Sequence, residues 1–354
     1  RVRFEDPGTL TLENSEPGIL KFQRAIIATG SRPTVIPGLD LKSERIMDST
    51  DALELPDVPK RLLVVGGGYI GLELGTVYAA LGSKVTVVEM LAGLLPGADK
   101  DLVRPLERRI RESFEAVYTE TKVVSVKETK KGLTVQFEGK TDEKQTFDRV
   151  LVAVGRRPNS DDLGLEKIGI EPDDAGFIKV DQQCRTSLGN IFAIGDVAGQ
   201  PMLAHKAMRE GKVAAEVLAG QRSTFDNQAI PAVVFTNPEV AWTGLTESEA
   251  KNKGIDFKVA RFPWAASGRA LTLGRGEGLT KMLFEPESGR ILGVGIVGVN
   301  AGELIAEGNL AIEMAAVAED LALTIHTHPT LSETVGEVAD VFLGHATHLF
   351  RKKS

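Results

Sequence analysis

The chain has 354 residues, a hydrophobic fraction of 42% and a charged fraction of 26%, values typical of a globular protein with two or three domains. The formal net charge of −7 gives no basic field for nucleic acid, and the longest run of apolar and glycine residues, 291–299, is too short to span a bilayer. The single cysteine, Cys184, rules out an intrachain disulfide and a cysteine-rich metal site. It suits a reducing compartment, so we expect a cytoplasmic location, with the mitochondrial matrix as an alternative, and no metal.

Short apolar segments in the first half of the chain predict buried strands. They lie at residues 25–28, 62–65 and 84–88, and a meander follows with strands at 123–124, 133–137 and 150–154. A helix is predicted from Gly71 to about Leu81, where Gly82 ends it. The segment 33–59 holds four prolines and shows little periodicity, which favours a connector.

The second half of the chain predicts strands and longer helices. The strands lie at residues 191–194 and 291–299, and the helices at residues 205–218, 301–317 and 331–343. The last two helices have apolar residues at helical spacing, which indicates that each packs on a core.

Gly66, Gly68 and Gly71 fit the pattern G-x-G-x-x-G, directly after the predicted strand 62–65 and at the start of the predicted helix. In a βαβ unit these glycines allow a tight turn, the approach of a pyrophosphate to the backbone, and packing of the helix on the sheet. Glu89 follows the next strand, 23 residues after Gly66, and a carboxylate there would accept hydrogen bonds from ribose hydroxyls and repel a 2′-phosphate. The pattern predicts an NAD site, with a glycine-rich turn that binds no ligand as the alternative.

Six further motifs are distributed along the chain. They are Ala28-Thr29-Gly30-Ser31-Arg32-Pro33, Gly155-Arg156-Arg157-Pro158-Asn159, Ile194-Gly195-Asp196, Met202-Leu203-Ala204-His205-Lys206-Ala207, residues 262–270 and residues 326–333. Together they resemble the pyridine nucleotide-disulfide oxidoreductase family of flavoproteins, and they are most similar to its dihydrolipoamide dehydrogenase branch. The resemblance covers essentially the whole chain.

The resemblance implies an α/β fold in which a Rossmann-like NAD domain is inserted in a partial FAD domain and an α+β dimerisation domain follows. The implied domains are the remainder of the FAD domain at 1–58, the NAD domain at 59–155, the continued FAD domain at 156–228 and the dimerisation domain at 229–354. It also implies a homodimer, because in this family a histidine from one subunit reaches the active site of the other.

The resemblance implies FAD contacts in two regions. Gly30 and Gly155 lie where the chain leaves the FAD and NAD domains, and Asp196 would bind the ribityl chain of FAD. The backbone of Leu203 and Ala204, at a helix start, would face the flavin pyrimidine, where a helix N-terminus favours negative charge. A turn or helix-capping aspartate is the alternative for Asp196. His205 is expected to be a surface histidine.

Three acidic or histidine side chains are candidates for the chemistry. Glu73 matches the glutamate that the family places beside the nicotinamide, with an exposed helix residue as the alternative. His328 is the candidate acid/base, and Glu333 would orient it and stabilise its charged form. Residues 330–333 also fit a capping box, so spacing alone leaves open whether Glu333 pairs with His328 or caps a helix. The resemblance favours the pair.

The remaining histidines are expected to be outside the chemistry. His326 is expected to be a neighbour of the pair, and the sequence indicates no partner for His345 or His348.

The resemblance implies oxidation of protein-bound dihydrolipoamide through a redox disulfide and FAD, with reduction of NAD. The implied partner is the lipoyl-bearing acyltransferase of a 2-oxoacid dehydrogenase complex. The family's FAD-binding glycine loop and its pair of cysteines are not found in these 354 residues. We therefore expect an N-terminally truncated sequence that retains flavin weakly and is inactive by itself.

Two alternative functions remain open at this stage. A soluble pyridine nucleotide transhydrogenase-like flavoprotein would fit the missing cysteine pair but not His328 before Pro329. A non-catalytic NAD-binding or dimerisation module would leave the His328–Glu333 pair unexplained.

Overall fold

A computed structural model describes residues 1–39 and 41–349. The strands are β1 Val2–Asp6, β2 Thr9–Leu12, β3 Ile19–Lys21, β4 Ala25–Ile27, β5 Ser31–Pro33, β6 Ile46–Met47, β7 Arg61–Val65, β8 Lys84–Val88, β9 Ala116–Tyr118, β10 Thr121–Thr129, β11 Gly132–Gly139, β12 Lys144–Phe147, β13 Arg149–Val152, β14 Arg156–Pro158, β15 Ile191–Ala193, β16 Ala232–Val234, β17 Glu239–Gly244, β18 Lys258–Pro263, β19 Leu279–Phe284 and β20 Ile291–Gly298. The helices are α1 Ser49–Leu53, α2 Tyr69–Ala80, α3 Lys100–Ser113, α4 Ala204–Leu218, α5 Glu247–Asn252, α6 Gly268–Thr272, α7 Ala301–Glu313, α8 Ala318–Leu323 and α9 Glu333–Leu343. The mixed α/β class is as predicted. In the described part of the chain, no helix combines the length and apolar character needed to cross a membrane.

The chain forms two compact units, each built from two segments. The first unit comprises Arg1–Thr34 and Gly155–Asn227, and the second comprises Val35–Val154 and Gln228–Ser354. The predicted connector at 33–59 therefore contains β6 and α1 and belongs largely to the second unit. The domain boundaries at residues 58, 155 and 228 remain a prediction.

The first unit contains small sheets and one long helix. An antiparallel sheet has the order β1-β2-β3, β14 pairs antiparallel with β5, and β15 pairs parallel with β4. The parallel pair brings the chain segment after residue 193 next to the segment after residue 27. This pairing positions the predicted FAD contacts described below.

The part of the second unit that contains the predicted NAD motif is a parallel sheet of order β6-β13-β7-β8-β9. Strand β7 is buried at four of its five residues, as expected for a central strand of a parallel sheet. The segment 150–154 was predicted as part of the meander, but β13 pairs with β7 and β6 instead. The antiparallel sheet has the order β10-β11-β12, and its third strand, β12, is absent from the sequence prediction.

The C-terminal part of the second unit is predicted to form the dimer interface, and we call it the interface part. It is an antiparallel sheet of order β16-β17-β20-β19-β18 with α7, α8 and α9. The helix predicted over 301–317 is shorter in the structure, where α7 ends at Glu313. The chain leaves the helical conformation at Ala315, which has a positive φ of 54°. The helix α3, which the sequence analysis missed, packs on β20. A Cβ built on Gly295 would lie 2.4 Å from Leu102 Cδ1, so a side chain at this position would require Leu102 to move.

Lys281 is a buried cation that joins three elements of the second unit. Its side chain is 1% exposed, and its Nζ donates to Asp99 Oδ2 at 2.8 Å, Asp101 Oδ1 at 2.8 Å and Glu247 Oε1 at 2.7 Å. Burial alone would lower the pKa of Lys281, but the three carboxylates outweigh it and the pKa is raised. The ammonium group therefore occupies the centre of an acidic cluster that would otherwise suit a metal ion.

Replacing Lys281 with Met is expected to lower the free energy of unfolding by about 3–5 kcal/mol, because it leaves buried carboxylates without their counter-charge. Urea unfolding followed by tryptophan fluorescence measures this change. The matched control is Lys258→Met on the neighbouring strand β18, where the side chain is exposed and the expected change is within about 0.5 kcal/mol. Equal losses in the two variants would contradict the assigned role.

The same variant has a pH signature. The pKa of Asp101 is lowered from its ordinary value of 3.8, because hydrogen bonds from Lys281 and Arg261 outweigh the effect of burial. This contribution to stability is present above that value and is lost as pH falls through the lowered pKa. In Lys281→Met the free energy of unfolding should therefore fall less steeply as the pH is lowered through this range, as urea unfolding at several pH values would measure.

Candidate active site and nucleotide-binding loops

The backbone of the glycine loop makes two contacts that exclude a side chain. Gly66 follows β7 with a φ of +111°, and a Cβ there would lie 2.3 Å from the Ala153 carbonyl oxygen. A Cβ on Gly71 would lie 2.2 Å from the Gly66 carbonyl oxygen. The first glycine thus allows the turn and the third allows α2 to pack on it, as the sequence pattern predicts.

Gly68 differs from its two neighbours in the motif. It is the N-cap of α2, with φ −78° and ψ 179°, and no side chain caps the helix there. A Cβ on Gly68 would meet nothing within 4 Å, so the space in front of the helix N-terminus is open. Free N–H groups and positive partial charge at this end suit a pyrophosphate. The loop therefore fits the NAD site predicted from sequence.

Glu89 holds the glycine loop in place. Glu89 is 8% exposed. Its Oε2 accepts a hydrogen bond from the Gly67 N–H at 2.6 Å, and its Oε1 accepts one from the Leu91 N–H at 2.7 Å. The sequence analysis missed this role. Each carboxylate oxygen has a further lone pair that can accept a hydrogen bond from a ribose hydroxyl. The ribose contact itself stays a prediction.

Glu73 is half-buried on α2, so the alternative of an exposed helix residue is wrong. Its Oε1 accepts a hydrogen bond from the Phe235 N–H at 2.7 Å. Burial raises the pKa of Glu73, and the hydrogen bond from Phe235 opposes that shift only in part. A carboxyl group with a raised pKa is a common feature of functional sites, and the nicotinamide contact remains a prediction.

Asp196 lies just after β15, in the 3₁₀ turn Gly195–Val197. Its Oδ2 accepts a hydrogen bond from Ser31 Oγ at 2.5 Å, and that hydroxyl accepts one from Arg156 Nε at 2.7 Å. Ser31 and Arg156 belong to two of the sequence motifs, but the sequence predicts no role for either residue. The structure brings the three motifs together around one carboxylate that can accept from ligand hydroxyls.

Gly30 and Gly155 flank the antiparallel pair β5–β14. Both have positive φ, +69° and +120°. The Gly30 carbonyl accepts from the Asn159 N–H at 2.9 Å, and the Gly155 carbonyl accepts from the Thr34 N–H at 3.0 Å. These bonds show a structural role in joining the two chain segments, and their contact with FAD stays a prediction.

A buried ion pair fixes the start of α4. Lys206 and Glu210 are 6% and 7% exposed, and their charged atoms are 2.8 Å apart. Lys206 Nζ donates to the Gly199 carbonyl at 3.1 Å, and Glu210 Oε2 accepts from the Gly195 N–H at 2.7 Å. The pair therefore shapes the loop that carries Asp196. Sequence reasoning missed it, although lysine and glutamate four residues apart on a predicted helix were a usable signal.

The N-terminus of α4 suits the predicted flavin contact. Leu203 is the N-cap, with extended backbone and no side-chain cap bond, and Ala204 is the first helical residue. The first N–H groups of such a helix have no intrahelical acceptor and carry positive partial charge. Together with Asp196, this arrangement fits FAD.

His328 and Glu333 form the predicted pair, with 2.9 Å between His328 Nδ1 and Glu333 Oε1. Glu333 Oε2 also accepts a hydrogen bond from the Thr330 N–H at 2.8 Å. The structure contains the pair but not the capping box, because α9 begins at Glu333 with Ser332 as its N-cap and without a side-chain cap bond. Burial alone would raise the pKa of Glu333, but the hydrogen bonds from Thr330 and His328 lower it. The His328 side chain is 79% exposed, so its ring is accessible to a substrate or to a second subunit.

Two other histidines of this region also have carboxylate partners. His326 is 11% exposed, and its Nε2 lies 2.7 Å from Glu307 Oε1, which suits the predicted role as a neighbour. The prediction that His348 lacks a partner is wrong, because its Nδ1 lies 2.5 Å from Glu337 Oε1. No local pattern indicates this pairing, because it joins residues 11 positions apart.

Two family comparisons cover most of the chain. Residues 2–211 match the family described as pyridine nucleotide-disulphide oxidoreductase, and residues 230–339 match its dimerisation domain. The dihydrolipoyl dehydrogenase of Vibrio parahaemolyticus is 52% identical over 355 aligned positions, covering 99% of this chain and 74% of that protein. That of Geobacillus stearothermophilus is 50% identical over 351 positions, covering 99% and 74%.

Solved structures give the same fold. LpdA from Mycobacterium tuberculosis superposes with a TM-score of 0.87 at 27% identity, covering 96% of this chain and 75% of that one. The HOCl-induced flavoprotein disulfide reductase RclA from Escherichia coli has a TM-score of 0.87 at 28% identity, covering 96% and 78%.

The three glycines of the loop should respond differently to alanine. Gly68→Ala should keep the fold, because its Cβ enters open space, but should weaken NADH binding at least tenfold by occupying the site of the pyrophosphate. Gly71→Ala should lower the melting temperature, because its Cβ meets backbone at 2.2 Å. NADH fluorescence titration and thermal unfolding measure the two effects. Gly189→Ala, also in open space, is the control, and equal NADH affinity in the Gly68 and Gly189 variants would contradict the assignment.

Proposed function

The chain belongs to the pyridine nucleotide-disulphide oxidoreductase family, and from this premise we propose that it acts as a dihydrolipoyl dehydrogenase. The reaction oxidises protein-bound dihydrolipoamide to lipoamide and reduces NAD⁺ to NADH with release of one proton. A bound FAD would supply two-electron chemistry between a redox dithiol, whose cysteine pair is not among these 354 residues, and NAD⁺. The alternative of a transhydrogenase-like flavoprotein is not favoured, because the relatives are named dihydrolipoyl dehydrogenase.

The observation that carries the proposal is the His328–Glu333 pair. Because Nδ1 is bonded to Glu333, Nε2 is the ring nitrogen left to exchange a proton with the substrate. We assign His328 the removal of a proton from a dihydrolipoyl thiol, which makes the thiolate that attacks a disulfide. Glu333 keeps the ring in the required tautomer and stabilises its charged form.

The nucleotide loops have supporting roles in this proposal. The N-terminus of α2 at Gly68 would hold the NAD pyrophosphate, Glu89 the ribose, and Glu73 would lie beside the nicotinamide. For FAD, Asp196 would hold the ribityl hydroxyls, and the N-terminus of α4 at Ala204 would face the pyrimidine. Open space, uncapped N–H groups and acceptor carboxylates support these assignments.

The dimerisation domain supports a homodimer, in which we assign His328 to the active site shared with the second subunit. A lipoyl-bearing acyltransferase of a 2-oxoacid dehydrogenase complex is the proposed partner, because it carries the dihydrolipoamide that the reaction consumes. The proposed location is the cytoplasm, in line with the bacterial relatives.

Replacing His328 with Gln in the full-length holoenzyme should reduce lipoamide turnover by about 10²–10⁴-fold, because general acid–base catalysis contributes that much. Flavin content, measured by visible absorbance, should stay normal. The matched control is His345→Gln, an exposed histidine in the same region, which should retain the parent rate. Unchanged turnover in the His328 variant would refute the acid/base assignment.

A further inference from the structure

A second histidine–carboxylate pair lies one helical turn from the first. Glu333 and Glu337 are four residues apart on α9, so their side chains lie on the same face of the helix. His328 Nδ1 is 2.9 Å from Glu333 Oε1, and His348 Nδ1 is 2.5 Å from Glu337 Oε1. The two pairs therefore run side by side at the N-terminal half of this helix.

The chain reaches this arrangement by reversing direction after α9. Gly344 ends the helix with a φ of +83°, and its N–H and that of His345 both donate to the Asp340 carbonyl. Ala346 and Leu349 then pack against the hydrophobic core of the interface part. These apolar contacts on both sides of His348 hold its ring beside Glu337.

Glu337 depends on His348 for its hydrogen bonding. Its side chain is 16% exposed, and within the described residues its buried Oε2 has no hydrogen-bond partner. Two carboxylates at this spacing on a helix repel each other, which favours protonation of either one. A positive charge on His348 compensates Glu337 and also acts on Glu333, whose pKa it lowers after the larger effects of burial, Thr330 and His328.

We propose that His348 is a positioning residue for the His328–Glu333 pair, acting by offsetting the negative charge of Glu337 beside that pair. The inference rests on the proposed function and deepens it, because it assigns a residue that sets the pH range in which His328 exchanges protons. His348 itself does not touch the reacting atoms.

Other charged groups near α9 are already engaged or lie on other elements. Glu307 of α7 pairs with His326, Asp320 caps its own helix by accepting the Val317 N–H, and Lys281 and Arg261 pair with Asp101 and Glu247. The elements packed against α9 also carry Glu319 and Lys258, and Asp340 and His345 lie at its C-terminal end.

The test follows the titration of His328 by ¹⁵N NMR of the full-length, histidine-labelled holoenzyme, with the His328→Gln variant giving the assignment. His348→Gln should raise the pKa of His328 by about 0.5 unit, because Glu337 is left uncompensated. Glu337→Gln should lower it. The double variant should return to within about 0.2 unit of the parent, because both charges are gone.

A third variant checks that the effect comes from the charge and not from the length of the replacement side chain. His348→Asn and His348→Gln both carry an amide that can donate a hydrogen bond to Glu337, and neither carries a charge, so both should shift the pKa of His328 alike. At 1 M salt the shifts should shrink, because the His348 side chain is 62% exposed. Near-UV circular dichroism and flavin absorbance check that each variant is folded.

A purely structural role for His348 would lower the melting temperature and leave the titration of His328 unchanged in all three variants, which would overturn the inference. The pH dependence of kcat/KM for dihydrolipoamide should shift in the same direction as the NMR titration. Because the NMR measurement needs no turnover, it stands apart from the proposed function, which fails instead if His328→Gln retains parent activity.

Discussion

The Glu89 carboxylate accepts hydrogen bonds from the N–H groups of Gly67 and Leu91, and two other loops with predicted site residues have a bond of this kind. Glu210 accepts a hydrogen bond from the Gly195 N–H, next to Asp196, and Glu333 accepts one from the Thr330 N–H, near His328. A carboxylate that accepts from the backbone fixes the main chain as well as the side chain. Loops that would otherwise lose their conformation are thereby kept ready for a ligand.

The same bonding pattern gives two carboxyl groups opposite properties. Glu73 is half-buried and accepts a backbone hydrogen bond from Phe235, and the effect of burial prevails, so its pKa is raised. Glu333 receives a backbone bond and a histidine, and these prevail over burial, so its pKa is lowered. Groups whose pKa values are pushed apart by their surroundings take different roles in acid–base chemistry. Glu333 is suited to remain a carboxylate that orients His328, whereas Glu73 accepts a proton more readily.

The parts of the fold and site that the sequence predicted are those specified by local patterns. The glycine loop, β8, α4 and the His328 motif each carry their signal within a few residues. The segment 150–154 shows the limit of local patterns, because the same apolar run is typical of a meander strand and of a parallel strand. Only the pairing of this segment with β7 shows that it belongs to the parallel sheet. Partners far apart in the sequence had no signal at all: Lys281 is 180 residues from Asp101, and Ser31 is 165 from Asp196. For α3, the apolar spacing was present at Leu102, Leu106 and Ile110, but Pro105 and many charges obscured it.

The motif at residues 330–333 shows why spacing alone leaves two interpretations open. A helix-capping carboxylate and a histidine-orienting carboxylate fit the same pattern, and only the position of the helix start separates them. Glu333 is the first residue of α9, and the N-cap is Ser332, without a side-chain cap bond. The two oxygens of Glu333 therefore face donors that precede the helix, Thr330 N–H on one side and His328 Nδ1 on the other. The backbone bond fixes the carboxylate, so the oxygen that remains is already aimed when the histidine ring meets it, which is the orientation that an acid–base pair requires.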